Sequence, residues 1–195
     1  MTGFNPYIGS IDIDFFKALC LKHGELRHYK KNEFILREGD VCSFFGFILS
    51  GVVKYSCTNR TENRMYNVGF SFPNEFLADY PTCLYDMKSE LNIQTITSCD
   101  IYICSSTFLQ QQFDTSIENQ HIARIAAEQM FFQSYSRYLD FFRFTPEERY
   151  LQLLQRCPSV LQMIPLKDIA SYLRITPIHL SRIRHKHSFG NKKQT

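Results

Sequence analysis

Hydrophobic positions divide the chain into an early β-rich part and a later helical part. Short apolar runs separated by turn residues fill the segment 27–104, as in 44–49, which ends at Ser50-Gly51. The segment 92–104 alternates apolar and polar residues for most of its length. Several short strands at such spacing are typical of an antiparallel sandwich or barrel. A short amphipathic helix at 11–20 precedes them.

A long helix is predicted after the strands. The segment 117–142 contains no Pro or Gly, and apolar residues fall on nearly all sides of the helix. These residues are Ile122, Ile125, Met130, Phe131, Tyr135, Tyr138, Leu139 and Phe142. A helix that is apolar all round must be covered on more than one side. A small β-roll covers one face, so a second copy of the chain is the expected cover for the other. The alternative is a helix packed twice within its own chain.

Two shorter helices near the end have the spacing of a helix-turn-helix. The segment 166–173 predicts a two-turn helix, and Thr176-Pro177 opens a second helix that runs to about His187. Thr caps a helix N-terminus well, and Pro pre-sets the first turn. Ala170 supplies the small side chain that a close helix crossing needs.

The outer face of the second helix suits a DNA major groove. At 3.6 residues per turn, Leu180 and Ile183 face the first helix, and the opposite face is rich in Arg, Ser and His. The residues expected to contact DNA are Thr176, Ile178, His179, Ser181, Arg182, Arg184, His185 and Lys186. Arg182 can recognise guanine O6 and N7 with both guanidinium arms, and Ile178 can touch a thymine methyl. DNA binding is therefore the leading interpretation of these residues.

Charge is distributed unevenly along the 195 residues. The formal net charge is +3, but residues 146–195 carry nine Lys/Arg against three Asp/Glu. A basic C-terminal quarter on a slightly acidic body is typical of a nucleic-acid contact surface, with a solvated basic tail as the alternative. Lys192 and Lys193 would add phosphate contacts.

Cysteines and histidines form no catalytic or metal-binding pattern. None of the seven cysteines belongs to a Cys-x2-Cys pair, and the odd offset of Cys99 and Cys104 puts them on opposite faces of a strand. The segment 27–110 contains one histidine, His28, too few for a cupin-type metalloenzyme. We expect no catalytic residues, no metal and no enzyme activity. Without a signal sequence or a membrane segment, the expected location is cytoplasmic.

Two sets of motifs, the helix pair at 169–184 and the segments 33–40, 47–54 and 73–77, carry a family resemblance. They resemble the helix-turn-helix and the cyclic nucleotide-binding β-roll of the Crp/Fnr (cyclic-AMP receptor protein-like) regulators. The resemblance implies an α+β chain: an N-terminal antiparallel β-roll (jelly roll), a long dimerisation helix and a C-terminal all-α, winged-type helix-turn-helix. The implied boundaries are 1–114, 115–142 and 143–195. It also implies a homodimer on palindromic double-stranded DNA, with RNA polymerase as a further partner and no membrane contact.

The residues at the effector position depart from the family pattern. Members that bind cyclic AMP carry a Gly-Glu pair for the ribose and an Arg-Ser/Thr pair for the phosphate. The resemblance places the effector pocket at Phe76, Ala78, Asp79, Ser89 and Glu90. No arginine lies between Arg64 and Arg124, so a cyclic phosphate would face Glu90 instead of a guanidinium. Control by cyclic AMP is therefore not expected, and the residues name no other effector or cofactor.

Two departures lie at the DNA end. Arg174 occupies the turn position where the family usually has Gly, so we expect either a left-handed Arg or a different turn. Ile178 stands where the family often has a Glu that reads cytosine. Only 188–195 follow the second helix, too few for a full β-wing. These departures leave an alternative: a ligand-sensing or protein-interaction β-roll with a vestigial helix-turn-helix.

Overall fold

The computed structural model of the protein describes residues 3–80 and 82–190. Eight strands form two four-stranded antiparallel sheets, in the orders β1-β8-β3-β6 and β2-β7-β4-β5. The strands are β1 (Glu25–Tyr29), β2 (Phe34–Leu36), β3 (Phe44–Ser50), β4 (Val53–Asn59), β5 (Arg64–Ser71), β6 (Phe76–Leu77), β7 (Asn92–Thr95) and β8 (Cys99–Ser105). These sheets confirm the antiparallel sandwich or barrel predicted from the spacing of the apolar runs and the β-roll implied by the family resemblance.

Apolar side chains from both sheets meet in the interior of the roll. Ile48 and Ile101 of one sheet pack in the same buried cluster as Val53 and Ile93 of the other. Alternate residues of a strand share a face, so each short apolar run contributes every second side chain to this core.

The alternating segment 92–104 is divided between the sheets. β7 and β8 lie in different sheets, and the exposed residues Thr97 and Ser98 form the turn between them. The turn that takes the chain from β7 in one sheet to β8 in the other depends on Gly51, which has φ +90° and approaches Ser98 closely. A Cβ at position 51 would lie 2.3 Å from the Ser98 carbonyl oxygen, closer than non-bonded atoms can approach.

Helices flank the roll and complete the chain. A 3₁₀ turn at Pro6–Ser10 precedes α1 (Ile13–His23), α2 (Ser106–Phe113), α3 (Ile117–Arg143), α4 (Pro146–Arg156), α5 (Val160–Met163), α6 (Leu166–Tyr172) and α7 (Pro177–Gly190). The predicted long helix corresponds to α3, and the predicted pair corresponds to α6 and α7. α7 continues past the predicted end at His187, and no strand follows it within 3–80 and 82–190. Lys192 and Lys193 lie outside the described residues.

The C-terminal helices share a hydrophobic core with the roll. Leu153 of α4 and Ile169 of α6 are buried in the same cluster as Phe70 of β5 and Phe4 near the N-terminus. The ring of Phe4 lies 5.3 Å from those of both Phe70 and Tyr172, so the N-terminal segment packs between the roll and α6.

A polar cluster joins α6 to the roll beside this core. Asp168 Oδ1 accepts hydrogen bonds from Lys54 Nζ at 3.2 Å and from Asn67 Nδ2 at 3.0 Å. Ser171 Oγ accepts a third bond from the Asn67 backbone N–H at 2.9 Å. Because Asp168 and Asn67 are buried, these bonds fix where the helix-turn-helix sits on β5.

Candidate DNA-binding face and effector pocket

The turn between α6 and α7 is tight and contains a left-handed arginine. Arg174 has φ +59°, and Ile175 N–H donates to the Ala170 carbonyl at 3.0 Å. A non-glycine residue in this region costs about 1–2 kcal/mol. The Arg174 guanidinium lies 4.3 Å from the centre of the Tyr66 ring, a cation–π contact that offsets part of that cost. Of the two arrangements expected for this turn, the structure has the left-handed Arg.

α7 begins at a side-chain cap and is anchored along one face. Thr176 Oγ1 accepts from the His179 backbone N–H at 3.1 Å, as expected for a capping threonine. Leu180 and Ile183 are buried against α6, whose Ala170 is fully buried at the crossing. The predicted apolar face of α7 therefore packs inward.

The opposite face of α7 is open to solvent. Exposed there are Thr176, Ile178, His179, Ser181, Arg182, His185 and Lys186, while Arg184 is half-buried. Ile178 is the aliphatic residue of this face and is 68% exposed. Except for Arg184 at its edge, the structure thus brings the predicted DNA-contacting residues together on one surface.

Lys186 has a partner that sequence reasoning did not identify. Its Nζ lies 2.8 and 3.0 Å from the two carboxylate oxygens of Glu147 at the start of α4. His187 Nε2 lies 2.7 Å from the same carboxylate. The hydrogen bonds from Lys186 and His187 hold the pKa of Glu147 below its usual range. Lys186 therefore forms an ion pair with Glu147 of α4.

A small cavity of about 150 Å³ lies between the roll and α3 at the predicted effector position. Phe76, Ala78 and Asp79 line it as predicted. Ser89 is buried behind the lining, where its hydroxyl donates to Asp79 Oδ2 at 2.5 Å. Glu90 is exposed and is not among the residues that line the cavity, so its assignment to the pocket stays a prediction. It follows a backbone turn held by the Ser89 hydroxyl, which directs it outward.

Sequence reasoning missed the groups that set the electrostatics of this cavity. Arg137 of α3 lines it, and its Nη2 donates to the Phe4 carbonyl and to Asn5 Oδ1, both at 3.1 Å. Burial raises the pKa of nearby Glu75 to about 7, although Asn5 Nδ2 donates to its Oε2 at 2.7 Å. The helical pattern of α3 does not distinguish a buried guanidinium from a solvated one, so the sequence carried no signal for Arg137.

One side of α3 carries an uncovered row of aromatic rings, which we call the aromatic seam. Its members are Phe131, Tyr135, Tyr138 and Phe142, exposed by 63%, 49%, 58% and 72%. Phe131 and Tyr135 stack with ring centres 5.7 Å apart, and Tyr138 and Phe142 meet edge to face at 5.0 Å. The other side of α3 packs on the roll through Ala126 and its neighbours. A single chain therefore covers one apolar face of α3 and leaves the other exposed.

Within residues 3–80 and 82–190, no three His, Cys, Asp or Glu side chains are grouped to hold a metal ion. All seven cysteines are free thiols. Cys99 and Cys104 pack in different clusters, as their odd spacing predicted. No helix in this part of the chain is long and apolar enough to cross a bilayer.

Comparisons with known proteins agree with this architecture. Residues 26–116 match the cyclic nucleotide-binding domain family. CLP of Xanthomonas campestris, described as a c-di-GMP responsive global regulator, is 17% identical with a TM-score of 0.70, over 92% of this chain and 93% of CLP. FixK2 of Bradyrhizobium japonicum is 17% identical with a TM-score of 0.71, over 86% of both chains.

A third solved structure, from Eubacterium rectale, is described as a transcriptional regulator of the Crp/Fnr family. It is 15% identical with a TM-score of 0.70, over 96% of this chain and 88% of its own. No curated protein matches the sequence. The resemblance drawn from the motifs is confirmed: residues 26–116 match the cyclic nucleotide-binding domain family, and the described part of the chain has the fold of solved Crp/Fnr transcription regulators.

Proposed function

We propose that the protein is a homodimeric transcription regulator that binds palindromic double-stranded DNA through α7. The carrying observation is a helix anchored on one face by Leu180 and Ile183, with Ile178, Ser181 and Arg182 exposed on the other. Entry into a major groove needs such a helix, because its inner face must be held while its outer face meets base edges. Arg182 would pair with guanine, and Ile178 would contact a thymine methyl.

The aromatic seam supports self-association. Its members follow one another at intervals of four, three and four residues, the spacing of the inner positions of a two-helix coiled coil. Two chains that pack their seams together would cover both exposed rows and place two α7 helices on one duplex. The expected half-sites are then about one helical turn, 34–36 Å, apart.

Control by cyclic AMP is not part of the proposal. A cavity of about 150 Å³ is smaller than the roughly 300–1,000 Å³ of most ligand pockets, and Asp79 would lie close to a bound phosphate. Arg137, the one guanidinium among the described residues that line the cavity, already binds Phe4 and Asn5. We expect no rise in melting temperature with cyclic AMP, and a rise of several degrees would contradict this expectation.

The remaining assignments follow from the proposed role. A regulator of this kind has no catalytic residues and acts in the cytoplasm, where RNA polymerase is its further partner. The free cysteines are consistent with a reducing compartment.

A second candidate is a ligand-sensing or protein-interaction protein whose helix-turn-helix no longer reads DNA. The pairing of Lys186 with Glu147 favours it, because this pair removes one cation from the predicted phosphate contacts. The apolar Ile178 at a position open to bases favours it too.

Selection of binding sites from a random duplex pool, with no nucleotide added, separates the two candidates. The proposed regulator recovers a palindrome, and its affinity falls steeply as salt increases because phosphate contacts release counterions. The selection is repeated in cell extract, which supplies small molecules. Recovery of no sequence under both conditions would contradict the proposal and favour the second candidate.

A further inference from the structure

Two neighbouring residues near the start of the chain, Phe4 and Asn5, are buried where the roll, α3 and the C-terminal helices meet. Phe4 is 2% exposed and Asn5 is 5% exposed. The residues on either side, Gly3 and Pro6, are exposed to solvent. Phe4 lies in the hydrophobic core that the roll shares with the C-terminal helices, whereas Asn5 lies in a polar site between the roll and α3. This short segment therefore joins two different surroundings.

The Phe4 ring connects the roll to the C-terminal helices. Its centre lies 5.3 Å from that of Phe70 in β5 and 5.7 Å from that of Phe72. From the C-terminal helices, the Tyr172 ring of α6 lies at 5.3 Å and the Arg156 guanidinium of α4 at 5.2 Å. Large aromatic side chains contribute strongly to the contacts that they bury. Loss of this ring would leave a void between β5 and α6.

Asn5 anchors the segment to the roll and to α3. Its Nδ2 donates to the Phe70 carbonyl and to Glu75 Oε2, both at 2.7 Å. Its Oδ1 accepts from Gln133 Nε2 at 3.2 Å and from Arg137 Nη2 at 3.1 Å. A side-chain amide offers two N–H donors and two lone pairs, so these four bonds use its full capacity. All four partners belong to the roll or to α3, so Asn5 acts on the C-terminal helices through the ring that precedes it.

Two observations indicate that this polar anchor can be released. Asn5 lines the cavity of about 150 Å³, so its side chain has free space beside it. Gln133 Oε1 and Arg137 Nε are buried and have no hydrogen-bond partner within the described part of the chain. Buried polar atoms without partners cost free energy, so they reduce the advantage of this arrangement over one in which Asn5 has moved away.

We propose that Phe4 and Asn5 form a latch that holds the helix-turn-helix on the roll. While Asn5 keeps its four hydrogen bonds at the cavity, the Phe4 ring stays between β5 and α6. A change at the cavity that breaks these bonds frees the ring and loosens α6 and α7 from the roll. In a DNA-binding dimer the latch would set the positions of the two α7 helices, a consequence that rests on the proposed function. The latch itself is tested without DNA.

The test is hydrogen–deuterium exchange of the full chain, measured by mass spectrometry on peptides from α6, α7 and the roll. Asn5→Ala removes the anchor and leaves the ring in place, whereas Phe4→Ala removes the ring. We expect both variants to exchange the amides of α6 and α7 about tenfold or more faster than wild type, because each lowers the free energy needed to open the helix pair. Circular dichroism verifies that the variants fold.

Two matched variants separate release of the latch from a general loss of stability. Asn92→Ala changes another buried asparagine, which lies on β7. Phe16→Ala changes another buried phenylalanine, which packs between α1 and the roll. Both should speed exchange in the roll and leave α6 and α7 at the wild-type rate. Wild-type exchange of α6 and α7 in Asn5→Ala, or equal acceleration there by Asn92→Ala and Asn5→Ala, would overturn the proposal.

Discussion

The aromatic seam provides the sharpest test of self-association, through the substitution Tyr138→Asp. A fully covered aromatic side chain buries about 150–250 Å². Because the four seam residues are exposed by 49–72% in one chain, pairing two seams would remove about 1,000 Å² from water. At about 25 cal/mol per Å², this burial gives a gross stabilisation of about 25 kcal/mol. Association costs about 4–15 kcal/mol, and ordering of the side chains costs more, so only part of this gross figure would appear as binding free energy. An area of about 1,000 Å² is at the lower size limit of a specific interface, so the seam would form the centre of the dimer contact.

Tyr138→Asp places one carboxylate in the middle of each seam, so the dimer would bury two like charges without partners. Burying an unpaired charge costs several kcal/mol, so we expect the dissociation constant of the dimer to rise about a thousandfold. Sedimentation velocity at micromolar concentration measures the change. Tyr85→Asp is the matched control, since Tyr85 is 66% exposed but lies on a loop of the roll. A Tyr138→Asp protein that stays dimeric, or a wild-type protein that is monomeric, would refute the reasoning.

Three further predictions follow from single contacts. Asp168→Ala leaves the half-buried Lys54 without its carboxylate, so the free energy of unfolding measured in urea should fall by about 3 kcal/mol. In a Lys54→Met background the same substitution should cost much less, and equal losses in both backgrounds would contradict the pairing. The pKa of Glu75 is raised to about 7 from 4.5, so the native state holds its proton more tightly and loses stability as pH rises through this window. Glu75→Gln should flatten that decline between pH 5 and 8, and an equally steep decline in the variant would exclude Glu75 as its cause. Glu147→Gln releases Lys186 for a phosphate contact, so DNA affinity should rise and its dependence on salt concentration should steepen by about one released counterion. An unchanged salt dependence of the affinity would place Lys186 outside the DNA interface.

The features that the sequence predicted correctly have local causes. Period-two runs ended by turn residues identify strands, so the roll could be recognised without knowing how its sheets pair. Thr176 caps α7, and Leu180 and Ile183 pack inward, because these properties depend on neighbours within a few residues. The left-handed Arg174 is one of the two arrangements that the sequence left open for this turn.

The features that the sequence did not reveal depend on partners far apart along the chain. Lys54 pairs with Asp168 and Lys186 with Glu147 only because the fold brings α6 to β5 and α7 to the start of α4. Glu90 was assigned to the effector pocket from the family resemblance, whereas in the structure it is exposed and is not among the residues that line the cavity. A pattern of apolar positions cannot predict such pairs, because any charged residue is compatible with the solvated face of its own element.

The same dependence explains why the burial of three arginine side chains was missed. Arg149 and Arg156 contributed to the basic C-terminal charge in the sequence, without any sign that their Nε atoms become buried. Arg137 belongs to a helix whose pattern indicated self-association.

The central claim is that α7 reads bases as one half of a dimer, and the most direct test compares the DNA sites selected by wild-type protein and by Arg182→Ala. From one random duplex pool, the wild type should recover a palindrome with half-sites about 10 base pairs apart, centre to centre. Arg182→Ala should lose preference at one base pair in each half-site and bind about 1–3 kcal/mol more weakly. Arg60→Ala is the control, since Arg60 lies on the turn between β4 and β5, and it should recover the wild-type site. A palindrome recovered unchanged, with the same affinity, by Arg182→Ala would contradict the account.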